Sequence, residues 1–336
     1  MLPVRERRVT SAYPPVLHDL YAPIREELAA AADLFDAELV SDLPCVNELC
    51  ARLQAYRGKM LRPALLLLSA RAAGSLAPAH RTLAAVVEMV HVATLVHDDV
   101  LDEADERRRQ PTIRRTDGNV TAILLGDYLI SHAFHLCSGL GDQHASRRIG
   151  ATTNRVCEGE LWQNAARGRD DLSEEDYFAI IERKTGALTA VACELGAHYA
   201  GAEEETVRGL QNYGLACGVA FQIVDDVLDL CGNPKEVGKT LAADLSLGKL
   251  TLPTLHAVRQ ADAETAARLR QAVRGEVVLS HDVVRRLLHE AGSFDYALRA
   301  ARDYVARAVQ SLQPLPPSEA KETLTALAEF IVQRRF

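Results

Sequence analysis

Apolar residues recur along this chain at the three- and four-residue spacing of helices that bury one face. The predicted helices cover residues 16–35, 45–56, 62–73, 80–100, 120–136, 147–163, 173–200, 203–230 and 250–260, with several more beyond residue 262. Turn-forming residues separate them at 74–75, 117–119, 139–142, 168–171, 232–234 and 314–317. The pattern therefore predicts an all-α protein built as one large helical bundle.

Composition supports this interpretation. Aromatic residues make up only 5% of the chain, alanine and leucine dominate the apolar residues, and no proline occurs between Pro111 and Pro234. These features favour helices over strands. No linker rich in serine, glycine or charge divides the 336 residues, so we expect a single domain over residues 1–336.

Charge and cysteine usage argue against several classes of protein. The net charge is −8 and the longest basic run is the three arginines at 107–109, so no nucleic-acid partner is expected. Residues 1–10 lack an apolar signal segment, and no wholly apolar run approaches a membrane span, which predicts a cytoplasmic protein. The seven cysteines are an odd number without a CxxC pair, so we expect reduced thiols.

The pentapeptide Asp-Asp-Val-Leu-Asp occurs twice, at residues 98–102 and 225–229, each time at the end of an apolar stretch. On a helix its first and fifth residues lie one turn apart on one face, so each copy directs two carboxylates to one place. Such charges repel unless a cation neutralises them, and an oxygen-only cluster suits Mg²⁺ shared with phosphate. The two copies predict a metal-bridged diphosphate site between two helices. A solvated acidic face is the alternative, and it explains two copies poorly.

Lysine usage is a second clue, since only six of the 38 basic residues are lysines. Lys59, Lys239 and Lys249 each follow a glycine, which lets backbone approach a phosphate closely. Lys184 precedes a Thr-Gly pair, and the arginines at 107–109 follow the first acidic cluster, where they can hold a diphosphate by paired hydrogen bonds. The alternatives are solvated surface lysines and surface ion pairs.

Taken together, these residues resemble the trans-polyprenyl diphosphate synthases, also called polyprenyl synthetases. The resemblance spans about residues 58–253. The matching segments are Gly58-Lys59 with Leu61-Arg62-Pro63, Glu88 with His91, the first acidic cluster with Arg107-Arg108, Gly126-Asp127-Tyr128, Lys184-Thr185, residues 221–229, Gly238-Lys239, Asp244 and Gly248-Lys249. Their number and order make the resemblance specific, whereas either acidic cluster alone is a weak signal.

The resemblance implies a helical bundle of the isoprenoid synthase type around a central cavity, usually as a homodimer. It implies head-to-tail condensation of isopentenyl diphosphate with an allylic diphosphate, with Mg²⁺ as cofactor and diphosphate as the leaving group.

The resemblance also implies a role for each matching residue. Metal binding, direct or supporting, falls to Asp98, Asp99, Asp102, Asp225, Asp226 and Asp229. Contacts to the allylic diphosphate fall to Arg107, Lys184, Lys239 and Lys249. Contacts to isopentenyl diphosphate fall to Lys59, Arg62, His91 and Arg108. The oxygens of Thr185 and Gln222 are implied to face the allylic cation.

Three positions depart from the family pattern. Arg57 stands where the family often has glycine, Met60 where it often has arginine, and Arg109 where glycine usually follows the arginine pair. We expect the first two to weaken the binding of isopentenyl diphosphate or to shift its contacts. Arg109 adds charge and bulk at the mouth of the site.

Product length follows from the expected path of the growing chain. This path runs from the first acidic cluster back along its helix for about 21 Å, at about 1.5 Å per residue. It passes Thr94, Ala93, Val90, Val87 and Ala84. Family members with short products commonly carry an aromatic residue at one of the first two positions, so the small side chains here predict a medium or long all-trans product. Met89 or Phe134 is the expected floor. Geranylgeranyl or farnesyl diphosphate is the alternative product, and ordinary helix packing is the alternative reason for the small residues.

Other function classes stay open. A non-catalytic subunit of a heteromeric synthase is expected to lose motif carboxylates or lysines, and none is missing here. A class I terpene cyclase is expected to carry an Asn/Ser/Glu metal motif in place of the second acidic cluster. A structural bundle with incidental surface acids is the least favoured.

Overall fold

The computed structural model describes residues 15–231 and 243–333. Over these residues the chain is almost entirely helical, as predicted, and their only strands form a short hairpin of β1 (Glu106–Arg107) and β2 (Gln110–Pro111). The first helices are α1 (Pro15–Leu20), α2 (Arg25–Glu38), α3 (Pro44–Arg52), α4 (Leu61–Ala73), α5 (Pro78–Leu101), α6 (Ile113–Ser138), α7 (His144–Ala165) and α8 (Glu174–Ile181). The later helices are α9 (Ala187–Tyr199), α10 (Glu204–Cys231), α11 (Ala243–Ser246), α12 (Leu252–Gln260), α13 (Ala263–Val273), α14 (His281–Glu290), α15 (Ser293–Ser311) and α16 (Glu319–Gln333). Short 3₁₀ turns cover Ala22–Ile24 and Leu53–Ala55, and a π-helical turn, Glu182–Gly186, joins α8 to α9.

Helix α9 lies at the centre of the bundle, because it is apolar or small on nearly every side. All residues from 187 to 197 are buried, and α9 packs against α4, α5, α7 and α10. A helix that is apolar all round is stable in water only when other elements enclose it. The long helices α5 and α10 both pack on α9, and each ends in one of the acidic clusters.

A glycine contact brings α10 close to the π-helical turn. A Cβ atom on Gly218 would lie 2.8 Å from the Cα of Gly186, which no side chain tolerates. Gln222 lies one helical turn beyond Gly218, so this close approach places it against Thr185 at the edge of the cavity.

One apolar core contains buried residues from Leu17 in α1 to Ile331 in α16. This supports the predicted single domain over residues 1–336, which stays a prediction. The seven cysteines are free thiols, as expected. Among the described helices, α6 is long and apolar enough to cross a membrane, with a mean hydropathy of 1.3 and 33% of its most apolar window buried. Core helices of globular proteins pass the same test, so this finding alone does not indicate a membrane span.

Candidate active site

Both acidic clusters line one cavity of about 930 Å³, which is the arrangement that the sequence predicts. Asp98 and Asp102 lie at the end of α5, and Asp225 and Asp229 lie in the last turns of α10. The basic residues of the wall are Arg107, Arg109, Arg115, Lys184 and Lys249. Carboxylates beside ammonium and guanidinium groups suit a phosphate ligand together with its metal ions.

The first cluster meets several cations. Asp102 accepts hydrogen bonds from Lys249 Nζ at 2.8 and 2.9 Å and from Arg167 Nη2 at 2.7 Å. Burial opposes the ionisation of Asp102, but the surrounding positive charges, Lys249 first, outweigh it and hold the pKa of this carboxyl below its usual value. At Asp98 burial opposes ionisation more strongly than the charge of Lys184 favours it. Burial and the neighbouring carboxylates therefore raise the pKa of Asp98.

Lys184 lies on the π-helical turn, a local widening of the helix that is frequent at functional sites. Its ammonium group donates to Gln163 Oε1 at 2.9 Å and lies 2.5 Å from Glu160 Oε2. Burial opposes its charge, but Asp98 and Glu160 together raise the pKa of Lys184 above its ordinary value. Lys184 therefore stays protonated at the cavity wall.

The second aspartate of the first copy, Asp99, is engaged by protein donors. It is 1% exposed and accepts hydrogen bonds from the Tyr56 hydroxyl at 2.7 Å and from Arg107 at 2.8 and 3.0 Å. Both guanidinium bonds, from Nε and Nη2, converge on Oδ1, while the Tyr56 hydroxyl donates to Oδ2. Asp99 thereby holds Arg107 at the cavity.

Asp226, the matching residue of the second copy, is held by neutral donors instead. It accepts hydrogen bonds from the Tyr177 hydroxyl at 2.7 Å and from Gln222 Nε2 at 2.8 Å. Burial and the charge of Asp244 raise its pKa well above the ordinary value in spite of these bonds. The amide oxygen of Gln222 accepts a hydrogen bond from Thr185 Oγ1 at 2.8 Å. The predicted residues Thr185 and Gln222 are therefore in contact, and Asp226 orients the amide.

The residues expected to bind isopentenyl diphosphate gather where α4 begins and α5 passes. Arg62, His91 and Arg108 are close enough for their charges to interact, and half-buried Lys59 lies two residues before α4. Burial first, and then the neighbouring arginines, lower the pKa of His91 well below its ordinary value, so its ring is neutral at pH 7. Burial raises the pKa of Glu88, against the attraction of Arg62 and Arg108.

Arg108 and Arg109 form the two-residue turn of the hairpin, with φ angles of 51° and 63°. Positive φ at both positions is the conformation of a type I′ turn, which normally uses asparagine and glycine. Arg108 donates to the carbonyl oxygen of Tyr56 at 3.1 Å and also to that of Arg57. A Cβ atom on Gly58 would collide with this guanidinium in its present position, so a larger residue there would displace the Arg108 side chain.

The other two departures have structural partners. Arg57 donates to Asp36 at 2.7 and 3.2 Å and lies over the Phe35 ring, 3.9 Å from its centre. It therefore ties its loop to α2. Met60, the residue before α4, is 5% exposed and has a positive φ of 51°.

The acidic walls fit Mg²⁺ shared with a phosphate ligand. Among the described residues, no three carboxylate, histidine or cysteine side chains converge closely enough to hold one ion by themselves. Mg²⁺ commonly takes one or two carboxylates, several waters and phosphate oxygens, so such a cage is not needed. Carboxylate pairs on α5 and α10 supply that kind of ligand. Lys239 lies outside the described residues.

Several polar residues that hold the motif residues in place are not predictable from short motifs. They are Tyr56, Glu160, Gln163, Arg167 and Tyr177. Apart from Tyr56, which is two residues before Gly58-Lys59, none lies next to a motif in the sequence, because each reaches the site from another element. Gly159 is the one local signal, since a Cβ atom there would lie 2.8 Å from the backbone nitrogen of Lys184.

The similarity to known proteins extends over the whole bundle. Residues 44–290 match the family described as polyprenyl synthetase. The octaprenyl diphosphate synthase of Haemophilus influenzae is 38% identical over 301 residues, which cover 89% of this chain and 92% of that protein. The all-trans-nonaprenyl-diphosphate synthase (geranyl-diphosphate specific) of Rhodobacter capsulatus is 34% identical over 317 residues, with coverages of 94% and 97%. The crystal structure of polyprenyl synthase from Caulobacter crescentus CB15, complexed with calcium and isoprenyl diphosphate, has a TM-score of 0.91 at 33% identity, over 95% of this chain and 98% of that one.

Proposed function

The chain belongs to the polyprenyl synthetase family, and from this premise we propose that it joins isopentenyl diphosphate head to tail to an allylic diphosphate and releases diphosphate. It is a prenyltransferase of the type that makes all-trans polyprenyl diphosphates of medium to long chain. The observation that carries the proposal is the meeting of both acidic clusters with Lys184 and Lys249 in one cavity.

We assign the allylic diphosphate to the acidic walls. Asp98, Asp102 and Asp225 are the proposed Mg²⁺ ligands, and the other three aspartates of the two copies support them. Bound Mg²⁺ would neutralise the diphosphate oxygens and so favour its departure. The proposed donors to the same diphosphate are Arg107, Lys184, Lys239 and Lys249. They stabilise the negative charge that develops as the allylic C–O bond breaks.

Thr185 and Gln222 are the proposed neighbours of the allylic cation. The Thr185 hydroxyl donates a hydrogen bond to Gln222, so the lone pairs of the Thr185 oxygen stay available to stabilise positive charge. The double bond of isopentenyl diphosphate attacks the cation, and the proton that is then lost goes to the released diphosphate. No side-chain nucleophile is required.

Isopentenyl diphosphate is assigned to Lys59, Arg62, His91 and Arg108. The neutral His91 ring donates one N–H bond to a diphosphate oxygen without adding charge. The arginines supply paired donors. This division keeps the second substrate beside the cavity while its double bond faces the allylic carbon.

The product is proposed to grow along α5. Ala84, Val87, Val90 and Ala93 are all 0% exposed, and Leu95 lines the cavity at the start of this path. If Ala93 borders the growing chain, Ala93→Phe shortens the product, as chromatography of the extracted prenyl diphosphates will detect. An unchanged product length in a folded, active variant rejects this wall.

We propose a cytoplasmic homodimer that pairs through α6. This helix exposes Val120 at 72%, Leu124 at 62% and Ile123 at 44%, a neighbouring set of large apolar side chains. Exposed apolar patches of this kind are typical of association surfaces. Light scattering of the purified protein measures its mass, and Leu124→Glu is expected to convert a dimer into monomer.

The reaction itself is tested with the purified chain, isopentenyl diphosphate, farnesyl diphosphate and Mg²⁺. We expect prenyl diphosphates longer than the primer, and no product when the metal is chelated. Consumption of the primer to a hydrocarbon without use of isopentenyl diphosphate would indicate a terpene cyclase. Absence of any product from a folded chain would indicate a subunit that needs a partner.

A further inference from the structure

Asp102 is held from two sides by cations that come from different loops. Lys249 Nζ contacts both of its carboxylate oxygens, at 2.8 and 2.9 Å, and Arg167 Nη2 contacts Oδ1 at 2.7 Å. The metal ligand proposed at this position is therefore already neutralised when no metal is bound. Lys249 belongs to the assigned substrate contacts, whereas Arg167 has no role in the reaction described above.

Each of the two cations is adjacent in sequence to a glycine, and the two glycines contact each other. Arg167 precedes Gly168, and Lys249 follows Gly248; the N–H of Gly168 donates to the carbonyl oxygen of Gly248 at 2.9 Å. Their φ angles are 74° and 69°, and a Cβ atom on Gly248 would lie 2.8 Å from the nitrogen of Gly168. The two loops are thereby joined back to back, so the two cations keep a fixed spacing across Asp102.

Arg167 has unused capacity to donate. Its guanidinium reaches the carbonyl oxygen of Leu101, in the last turn of α5, only at 3.5 Å. Its Nε–H is buried and has no hydrogen-bond partner among the described residues. The side chain is 23% exposed and contacts Asp102, which lines the cavity. A phosphate oxygen brought to Asp102 by a metal ion would lie close to the Arg167 guanidinium.

We propose that Arg167 is a positioning residue that couples metal binding to diphosphate binding, an inference that rests on the proposed function. A metal ion that arrives alone must displace positive charge from Asp102. A metal ion that arrives with diphosphate brings oxygens that accept the displaced guanidinium. Arg167 therefore weakens the binding of Mg²⁺ alone and strengthens its joint binding with diphosphate. The consequence is that Mg²⁺ binds weakly to this site unless diphosphate is present.

The test measures Mg²⁺ binding by calorimetry, with and without inorganic diphosphate, in the full chain. The factor by which diphosphate tightens Mg²⁺ binding is expected to fall about tenfold in Arg167→Gln, mainly because Mg²⁺ alone binds more tightly. Arg167→Lys keeps the charge and is expected to keep most of the coupling. The matched control is Arg169→Gln, since Arg169 is exposed and pairs only locally, with Asp171 at 2.9 Å. Fluorescence of Trp162, the single tryptophan, beside Gln163, gives a second readout.

The outcomes separate this inference from the proposed function. If the wild-type chain makes polyprenyl diphosphates but Arg167→Gln binds Mg²⁺ with unchanged affinity and unchanged coupling, the role of Arg167 is rejected and the function stands. Weaker binding of Mg²⁺ alone in Arg167→Gln also rejects it, because Arg167 would then merely orient Asp102. A folded wild-type chain that neither binds Mg²⁺ with diphosphate nor forms product rejects the function itself.

Discussion

The two copies of Asp-Asp-Val-Leu-Asp have the same sequence and different surroundings. In the first copy, Asp99 is paired with a guanidinium and Asp102 with an ammonium and a guanidinium. In the second copy, Asp226 accepts hydrogen bonds from a tyrosine hydroxyl and an amide, both neutral. Identical pentapeptides thus have different hydrogen-bond donors, charged in the first copy and neutral at Asp226, because the neighbouring elements, and not the motif, supply them.

The surroundings of Asp102 and Asp226 already differ before any ligand binds. The first copy is compensated by resident cations and stays ionised at Asp102. Asp226 lacks a cationic hydrogen-bond donor among its described contacts, and its raised pKa reflects burial without such compensation. Asp226 is therefore expected to gain more from an added positive charge than Asp102.

The largest effect is expected on catalysis, where the difference between the copies should disappear. Asp98→Asn and Asp225→Asn are each expected to lower kcat/KM on the order of 10³-fold, because both carboxylates act on one leaving group. The double variant is expected to fall little further, since residues that act as a unit are not additive. Incorporation of labelled isopentenyl diphosphate measures this. A double variant that loses the product of both factors would show that the two walls act independently.

The next effect concerns stability, where the difference between the copies should be plain. Asp99→Asn breaks a buried pair with Arg107 and is expected to lower the free energy of unfolding by about 3 kcal/mol. Asp226→Asn removes a buried charge and keeps an oxygen for hydrogen bonding, so the metal-free protein is expected to lose less than about 1 kcal/mol or to gain. Urea denaturation without metal compares them, and equal losses would contradict the comparison.

The pH dependence of stability is expected to have opposite signs at Asp102, in the first copy, and at Asp226, in the second. The lowered pKa of Asp102 contributes stability that is present above about 3.8, its ordinary value, and is lost as the pH falls through the lowered pKa. The raised pKa of Asp226, due first to burial, contributes stability that is present below about 3.8 and is lost as the pH rises through the raised pKa.

Asparagine variants at the two positions isolate these contributions. The difference in free energy of unfolding between wild type and Asp102→Asn is expected to shrink as the pH falls. The difference between wild type and Asp226→Asn is expected to move against the wild type as the pH rises. Neither slope can exceed about 1.4 kcal/mol per pH unit for one proton. Slopes of the same sign in metal-free protein would refute the contrast.

The smallest effect concerns the hairpin that follows the first copy. Arg109 has a φ of 63°, which costs an L-residue with a side chain more than it costs glycine. Arg109→Gly is expected to be more stable than Arg109→Ala by about 1 kcal/mol in urea denaturation, because both remove the charge and only glycine removes the strain. Equal stability of the two variants would mean that the turn relaxes to another conformation.

Sequence periodicity located most helices, and it failed where one residue changes the geometry. Residues 173–200 were predicted as one helix, and residues 174–199 are helical without a break, but the π-helical turn between α8 and α9 was not predicted. By contrast, the turn predicted at 117–119 is confirmed as a break in α6, because Gly118 has the non-helical angles φ 87° and ψ 165°. The hairpin was missed because its turn uses two arginines. Apolar spacing indicates which face of an element is buried. It does not reveal a single extra residue in a helical turn or a single residue with positive φ.

The candidate site was predictable as far as its chemistry is local. The acidic clusters, Lys184 and Gln222 belong to short motifs, and the structure brings them to one cavity. The partners that set their charge and direction were not predictable, because Tyr56, Tyr177 and Arg167 reach the site through packing between distant segments. The assigned roles of the motif residues stay predictions until the variants above are measured.

The enclosure of α9 has a consequence for how the enzyme loses activity on heating. Thr185 and Lys184 precede this helix directly, and its backbone amides are sealed beneath neighbouring helices on every side. Amides so placed exchange hydrogen for deuterium only when the whole molecule opens. Lys184 is thus anchored to the part of the fold that is expected to unfold last, and inactivation should coincide with global melting instead of preceding it.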